Sequence, residues 1–508
     1  MSERNRRKFL VEVGEGMLAA LIGPALAAEM GLASRALAAE PSRKTPEGLD
    51  RLVGLLQETP VSKLVPALVG QLEKGVALRE LVAAAAVANA RAFGGHDYVG
   101  YHTFMALAPS FSMAELLPEK ERALPIIKVI HRNSRTMGSG PGRPADLLGH
   151  AEPAKLKGDQ PVGKLLLEAT RARHTAEADG IFLAAAKNSL QDAYNDLQPV
   201  VHDEANVHRV VLAWRSWETI DFTGQDHART LLRQSVHFGC DTKHSGDQSI
   251  RTVLPGLMEK YRLMEKAVGT KPADDAWVER LSKTVYAEPR EQAAEAVAAE
   301  LAAGYSPEAV GEALSVACAR LVLADPGRER AYTPEKPVGS VHGDSIGVHA
   351  SDSANAWRHI ARVSNPRNTF ASLVAGAYHT AGQTRRHMKD AYPQAADLEK
   401  IREKRGAALL KLAEEAIRAK DQRRVCAIAQ RYGQQGHDPR SLFALLLRYA
   451  VSEDGALHAE KYFRTVTEEF ATVRPAFRWQ HLVALARVTA SLYGNPAPGV
   501  EEARKLLG

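Results

Sequence analysis

Cysteine is scarce in this sequence, with Cys240, Cys318 and Cys426 standing far apart among 508 residues. None of them forms a C-x-x-C pair, so the pattern indicates neither a zinc knuckle nor a thioredoxin-like redox site. An odd number of cysteines also argues against a disulfide framework. We therefore expect three buried thiols that act as small apolar side chains.

Long apolar runs and a strongly one-sided charge are missing as well. Beyond the N-terminus no run approaches the roughly 18 apolar residues of a membrane-spanning helix, so we expect no membrane span in the mature protein. Lys and Arg total 66 against 60 Asp and Glu, and no basic stripe carries interleaved aromatic residues. The sequence therefore predicts no nucleic-acid partner.

The residues that are abundant favour helices. Ala, Leu, Glu, Arg and Lys dominate, while alternating patterns of Val, Thr and Tyr are scarce. A hydrophobic fraction of 45% and a charged fraction of 25% are those of an ordinary globular protein with a sizeable core. This composition predicts an all-α fold.

A histidine frame recurs along the chain: His-Asp-x4-His, then a third histidine 29 positions later. The first two copies contain His96, Asp97, His102 and His131, then His202, Asp203, His208 and His237. Because 202 − 96, 208 − 102 and 237 − 131 each equal 106, the sequence predicts a repeat architecture. A looser third copy contains His342, Asp344, His349 and His379. A degenerate fourth copy keeps Asp454 and His458, with Val488 in the third-histidine position.

This recurrence predicts a helical array or toroid of about four divergent repeats of roughly 106 residues. The predicted boundaries are 58–160, 161–270, 288–399 and 400–508, with an insert at 325–341 in the third repeat and a linker at 40–57. Terminal units of an array are often atypical because one side faces solvent, which suits the degenerate fourth copy.

The N-terminus resembles a twin-arginine export signal. Arg6 and Arg7 precede a mild apolar run from Gly16 to Ala28, and Ala36-Leu37-Ala38 offers a small-residue cleavage site. Together these features predict a signal peptide at 1–39. The expected partner is the export machinery, and the expected location is periplasmic or otherwise exported. The alternative interpretation is an amphipathic N-terminal helix.

Local signals place several motifs on particular elements. Gly94 should end an alanine-rich helix from Ala77 to Phe93. Two histidines six apart cannot share one face of a regular helix, so we expect His96 in a loop or first turn and His102 in the helix proper. Asp97 suits an N-terminal cap. A third helix is expected over 120–130, ended by His131.

The repeated histidines are the candidate functional residues. Equivalent positions in successive helical units share one face and converge on an axis if the array closes. Histidine suits a general base or a metal ligand, so a transition metal is a candidate cofactor, although no H-E-x-x-H motif is present. The candidate metal ligands are His96, His102, His131, His202, His208, His237, His342, His349 and His379. The acids expected to orient them are Asp97, Asp203, Asp344 and Asp352. The structural alternative is that the repeated histidines serve packing, with rings that bond neighbouring backbone carbonyls.

Three histidine-led segments resemble helices of the questin oxidase-like family. They are His102-Thr-Phe-Met-Ala-Leu, His208-Arg-Val-Val-Leu-Ala-Trp-Arg and His349-Ala-Ser-Asp-Ser-Ala-Asn-Ala-Trp-Arg. The resemblance covers about a tenth of the chain, and Ser351-Asp352 stand where that family has Val-Thr. It implies a helical oxidoreductase with His102, His208 and His349 in its site. Some members oxidise aromatic polyketides by Baeyer–Villiger-type oxygen insertion. The reduced nicotinamide that this chemistry implies is not freely available outside the cytoplasm.

The sequence thus predicts an exported, all-helical oxidoreductase with a histidine-lined central pocket for a small-molecule substrate. One alternative is a non-catalytic helical scaffold that binds a protein or envelope component, which predicts mutually distant histidines and a shallow groove. Another is an (α/α) toroid that acts on polysaccharide, with Trp214, Trp217 and Trp357 in an aromatic cleft.

Overall fold

The structure, a computed structural model, describes residues 48–508 except 138–147, 157–159, 242, 244, 332, 334, 335 and 344. The predicted signal peptide therefore lies outside the described residues, as does Asp344. The chain is all-α, with 73% of it helical, 23 helices and no strand in the part described. No helix among these residues combines the length and apolarity that crossing a membrane would require.

In the part of the chain that the structure describes, the first half contains eleven α-helices. They are α1 Leu49–Glu58, α2 Val61–Glu73, α3 Leu78–Phe93, α4 Tyr98–Glu115, α5 Ala123–Met137, α6 Val162–Arg171, α7 Thr175–Ala185, α8 Leu190–His202, α9 Val207–Thr223, α10 Ala228–Cys240 and α11 Ile250–Lys260.

The second half contains twelve more. They are α12 Asp275–Ala287, α13 Arg290–Ala302, α14 Pro307–Ala324, α15 Ile346–Val363, α16 Pro366–Thr380, α17 Ala395–Lys400, α18 Gly406–Arg418, α19 Gln422–Gln434, α20 Pro439–Ser452, α21 His458–Thr472, α22 Pro475–Leu492 and α23 Val500–Leu507.

Four inner helices form a closed ring at the centre of the molecule. Helix α4 packs on α9, α9 on α15, α15 on α21, and α21 returns to α4. Most residues of these helices are buried on every side, which is expected of helices surrounded by others. The remaining helices pack around them, for example α5 on α4 and α16 on α15.

Buried Lys128 forms contacts between helix α5, in the first part of the chain, and the region around the last inner helix, α21. Lys128 on α5 donates to the carbonyl oxygens of Ala450 at 2.8 Å and Glu453 at 2.7 Å, and its Nζ lies 2.6 Å from Glu460 Oε1 on α21. Helix α23 also packs on α2 and α5. These contacts close the ring between the two ends of the described chain.

The local signals explain where several helices begin and end. Asp97 caps α4 by accepting a hydrogen bond from Gly100 N, and Ser306 caps α14 with Pro307 in its first turn. Gly94, with φ of 53°, ends α3. Such caps each stabilise a helix by about 1 kcal/mol. The prediction for the third helix was wrong, because α5 runs from Ala123 to Met137 and His131 lies inside it.

Candidate functional site

Each inner helix presents one histidine near its N-terminus. His102, His208, His349 and His458 all fall within the first five residues of α4, α9, α15 and α21. Because the four helices form a ring, these positions face a common centre. We call these four residues the four-histidine cluster.

The imidazoles of the cluster are in direct contact. His102 Nε2 lies 3.1 Å from His208 Nε2, and His349 Nε2 lies 3.1 Å from His458 Nε2. Ring centroids of His102 and His458 are 5.3 Å apart, and those of His208 and His349 are 5.7 Å apart. The predicted convergence of His102, His208 and His349 is thus seen.

His458 is the member of the cluster that the sequence did not single out as a site residue. The signal was present, since 458 − 349 equals 109, close to the 106 that separates 102 from 208. The fourth copy lacks the other histidines of the frame, so its sequence pattern is weaker than that of the first three copies.

Backbone carbonyls set the tautomers of two members. His102 Nδ1 lies 2.6 Å from the carbonyl oxygen of Tyr98, and His458 Nδ1 lies 2.9 Å from that of Ala456. A carbonyl only accepts, so Nδ1 carries the proton in both rings and Nε2 of a neutral ring has the lone pair. The facing Nε2 atoms of His208 and His349 must therefore donate, which leaves their own Nδ1 atoms as acceptors when these rings are neutral.

Burial keeps His102, His349 and His458 uncharged at neutral pH. His102 is 2% exposed, and its burial, followed by the nearby Lys461 ammonium, lowers its pKa well below the usual 6.5. Burial and Lys461 likewise lower the pKa of His349 to about 3 and that of His458 well below its ordinary value. Neutral imidazoles with defined lone pairs are suited to accept protons.

Two tyrosines cover one side of the cluster. The Tyr98 ring lies 4.3 Å from that of His102, and the Tyr101 ring stacks on His102 at 5.0 Å and lies 5.2 Å from His208. Burial raises the pKa of both phenols. Both therefore stay protonated at neutral pH.

A pocket of about 400 Å³ opens beside two members of the cluster. His208, His349 and His379 line it, together with Ala205, Asn206, Val207, Ser245, Ile346, Ala350 and Gln383. This volume suits a small organic molecule. A bound molecule would meet imidazole groups in the lining of the pocket.

A second group of repeated histidines lies between the first two units, away from the ring centre. His96 Nε2 is 3.3 Å from His237 Nδ1, and His96 Nδ1 is 3.2 Å from Asp241 Oδ2. His237 Nε2 is 2.8 Å from Asp179 Oδ2, which also accepts from Arg233 Nη2 at 2.6 Å. We call His96, His237, Asp179 and Asp241 the outer histidine pair with its two carboxylates. The sequence did not indicate either acid.

The other predicted histidines occupy separate places. His131 is half-buried beside Gly499 near the end of the chain. His202 Nε2 lies 3.0 Å from Ser372 Oγ, and His342 Nδ1 lies 2.7 Å from Ser491 Oγ. His379 accepts from Trp357 Nε1 at 3.4 Å, and burial lowers its pKa to about 4.

The carboxylates expected to orient the histidines have other partners. Asp97 caps α4. Asp203 accepts from Arg171 at 2.9 Å and Arg251 at 3.1 Å. Asp352 accepts from Thr465 Oγ1 at 3.0 Å, and burial raises its pKa to about 6. The prediction that these acids orient the site histidines was wrong for the three that are described, since backbone carbonyls hold His102 and His458 instead.

The three tryptophans do not form the aromatic cleft that the polysaccharide alternative predicted. Trp214, Trp217 and Trp357 are 2%, 7% and 0% exposed. Trp214 stacks on His359, and Trp217 stacks on Tyr194. They belong to the packed interior.

The described residues contain no group of three or more His, Cys, Asp or Glu side chains arranged to hold a metal ion. The four-histidine cluster meets as two pairs, and the metal centre stays a prediction. Among family models, curated proteins and solved structures, none matches this chain.

Proposed function

We propose that this protein is an exported oxidoreductase that binds a small molecule in the pocket beside His208 and His349. The observation that carries the proposal is the convergence of four imidazoles, one from each inner helix, next to a cavity of about 400 Å³. The oxidoreductase class rests on the resemblance of the His102, His208 and His349 segments to questin oxidase-like helices. Export rests on the twin-arginine-like N-terminus.

The chemistry that the cluster supports is proton removal from the bound molecule. When His208 and His349 are neutral, their lone pairs lie on Nδ1, because their Nε2 atoms donate to His102 and His458. A proton that arrives on Nδ1 of His208 can be balanced by release of the Nε2 proton to His102. Each pair therefore acts as a two-ring proton acceptor.

The lowered pKa of the His349 imidazole sets a condition on the substrate. A buried imidazolium forms readily only if an opposite charge appears beside it. A molecule that becomes an anion as it loses its proton, such as a phenol or an enolisable ketone, supplies that charge. Deprotonation also makes such a molecule electron-rich and hence easier to oxidise.

The test is oxidation of a panel of phenols and enolisable ketones by purified protein, followed by oxygen consumption and product mass. We expect turnover that falls about 10²–10⁴-fold in His208→Ala and His349→Ala. His150→Ala, which removes an imidazole that is 85% exposed, is the matched control and should keep full activity.

Metal analysis of the same preparation decides whether the reaction needs a metal. Stoichiometric metal that is lost in His102→Ala and His458→Ala would assign it to the cluster. Equal activity of His208→Ala, His349→Ala and the wild type would overturn the proposal.

A further inference from the structure

A buried lysine that has no hydrogen-bond or ion-pair partner among the described residues lies next to the four-histidine cluster. Lys461 is on α21, one turn after His458, and is 3% exposed. After burial, its charge is the largest cause that lowers the pKa of His102, His349 and His458. The amine therefore lies within electrostatic reach of three of the four imidazoles.

No described residue offers Lys461 Nζ a hydrogen bond or an ion pair within ordinary contact distance. The contrast with Lys128 is direct, because that buried ammonium donates to two carbonyl oxygens and pairs with Glu460. A buried ammonium without partners is costly, whereas a neutral amine is much less so. The surroundings of Lys461 thus increase the fraction of free amine relative to that of an exposed lysine.

The charges around Lys461 agree with this. Burial lowers its pKa to about 8, with Arg215 and Lys336 acting in the same direction, although Asp352 and Glu460 oppose the shift. An ordinary lysine has a pKa near 10.5. A lysine with a pKa near 8 carries roughly two hundred times more free amine at pH 7.5 than an exposed one.

We propose that Lys461 is a nucleophilic amine that captures, as an imine, the carbonyl group of a small molecule bound at the four-histidine cluster. This deepens the proposed function, on which it rests for the location of the site, and it makes the substrate class an aldehyde or ketone. Desolvated lysines next to other cationic groups are a known means of activating this nucleophile.

The step balances without an oxidant or a reductant. The Nζ lone pair forms the N–C bond while the carbonyl π pair moves to oxygen, which takes up a proton. Nζ loses its protons as water leaves from the resulting carbinolamine, and the net change is amine plus carbonyl to imine plus water. Neutral imidazoles of the cluster can carry the protons between nitrogen and oxygen.

The experiment is reductive trapping of the full chain with acetaldehyde and cyanoborohydride at pH 7.5, followed by peptide mass mapping. Acetaldehyde is small enough to reach a nearly buried amine. We expect ethylation of Lys461 at least tenfold faster than of exposed Lys505, with none at Lys128. Labelling confined to exposed lysines would overturn the proposal.

Lys461→Met supplies the matched variant, since it removes the amine and leaves no partner unpaired. In this variant, labelling should be lost only at the peptide that contains position 461. If the variant does not fold, the peptide map of the wild type alone decides whether Lys461 forms an imine. If Lys461 is trapped but turnover is unaltered in His208→Ala, the proposed function is contradicted and the imine proposal stands. If turnover is lost in His208→Ala but Lys461 is not trapped, the imine proposal is contradicted and the proposed function stands.

Discussion

The four-histidine cluster and the outer histidine pair are built from the same repeated frame, yet their surroundings differ. At the ring centre, imidazoles face imidazoles, and backbone carbonyls of Tyr98 and Ala456 hold two of them. In the outer pair, carboxylates of Asp179 and Asp241 hold the rings. One region is neutral and the other is ionic.

The difference follows from distance to the axis of the ring. Positions at the start of the inner helices meet whenever the helices close into a ring, so each copy brings its histidine to the same place. Positions away from the axis contact different neighbours in each unit. His131, His237 and His379, which share one frame position, accordingly lie beside Gly499, Asp179 and Trp357.

The largest expected effect comes from breaking the ionic region. Asp179→Ala leaves the buried Arg233 guanidinium without its carboxylate, which should lower the free energy of unfolding by about 3–5 kcal/mol. Urea unfolding followed by circular dichroism measures this loss. Glu152→Ala removes the carboxylate from the exposed pair of His150 and Glu152. It should leave the midpoint of urea unfolding unchanged. A loss no larger for Asp179→Ala than for Glu152→Ala would contradict the ionic description.

Acid should act on the two regions in different pH windows. The folded imidazoles of His349 and His202, with pKa values of about 3, bind fewer protons than the unfolded chain below pH 6.5. Acidification therefore favours unfolding from pH 6.5 downward, by about 1.4 kcal/mol per pH unit for each such histidine. The pKa of Asp179 is lowered by His237 and Arg233 against the effect of burial. Its stabilising contribution is present above pH 3.8 and is lost as pH falls below that value.

The check is the free energy of unfolding measured in urea at pH 7, 6 and 5. His349→Phe removes one buried titrating ring, so its slope between pH 6 and 5 should be smaller than that of the wild type by roughly 1.4 kcal/mol per pH unit. Asp179→Asn should keep the wild-type slope in this window. The same slope in His349→Phe and the wild type would show that the cluster is not held neutral.

Several features of this comparison were predictable from the sequence, and others were not. The helix boundaries at Asp97, Gly94 and Ser306 follow from local capping, and the meeting of His102 with His208 follows from the 106-residue recurrence. The partnership of His237 with Asp179 depends on how α10 packs on α7, which no local pattern encodes. Lys461 stands out only because the fold leaves its amine without an acceptor, and a sequence does not record a missing partner.

The smallest expected effect is a difference in coupling energy between one central pair, His102 and His208, and the outer pair, His96 and His237. In a double-mutant cycle of His102→Ala and His208→Ala, the coupling energy should be about 0.5–1.5 kcal/mol, because the Nε2 atoms meet in a buried site. The cycle of His96→Ala and His237→Ala should give a coupling energy below about 0.5 kcal/mol. The two ring nitrogens are 3.3 Å apart, and the His96 side chain is 34% exposed. Both cycles are measured by urea unfolding at pH 7.5, where His102 is neutral. Equal coupling energies would mean that a position near the axis of the ring does not strengthen the contact between two histidines. The four-histidine cluster would then couple the repeat units no more strongly than the outer pair does.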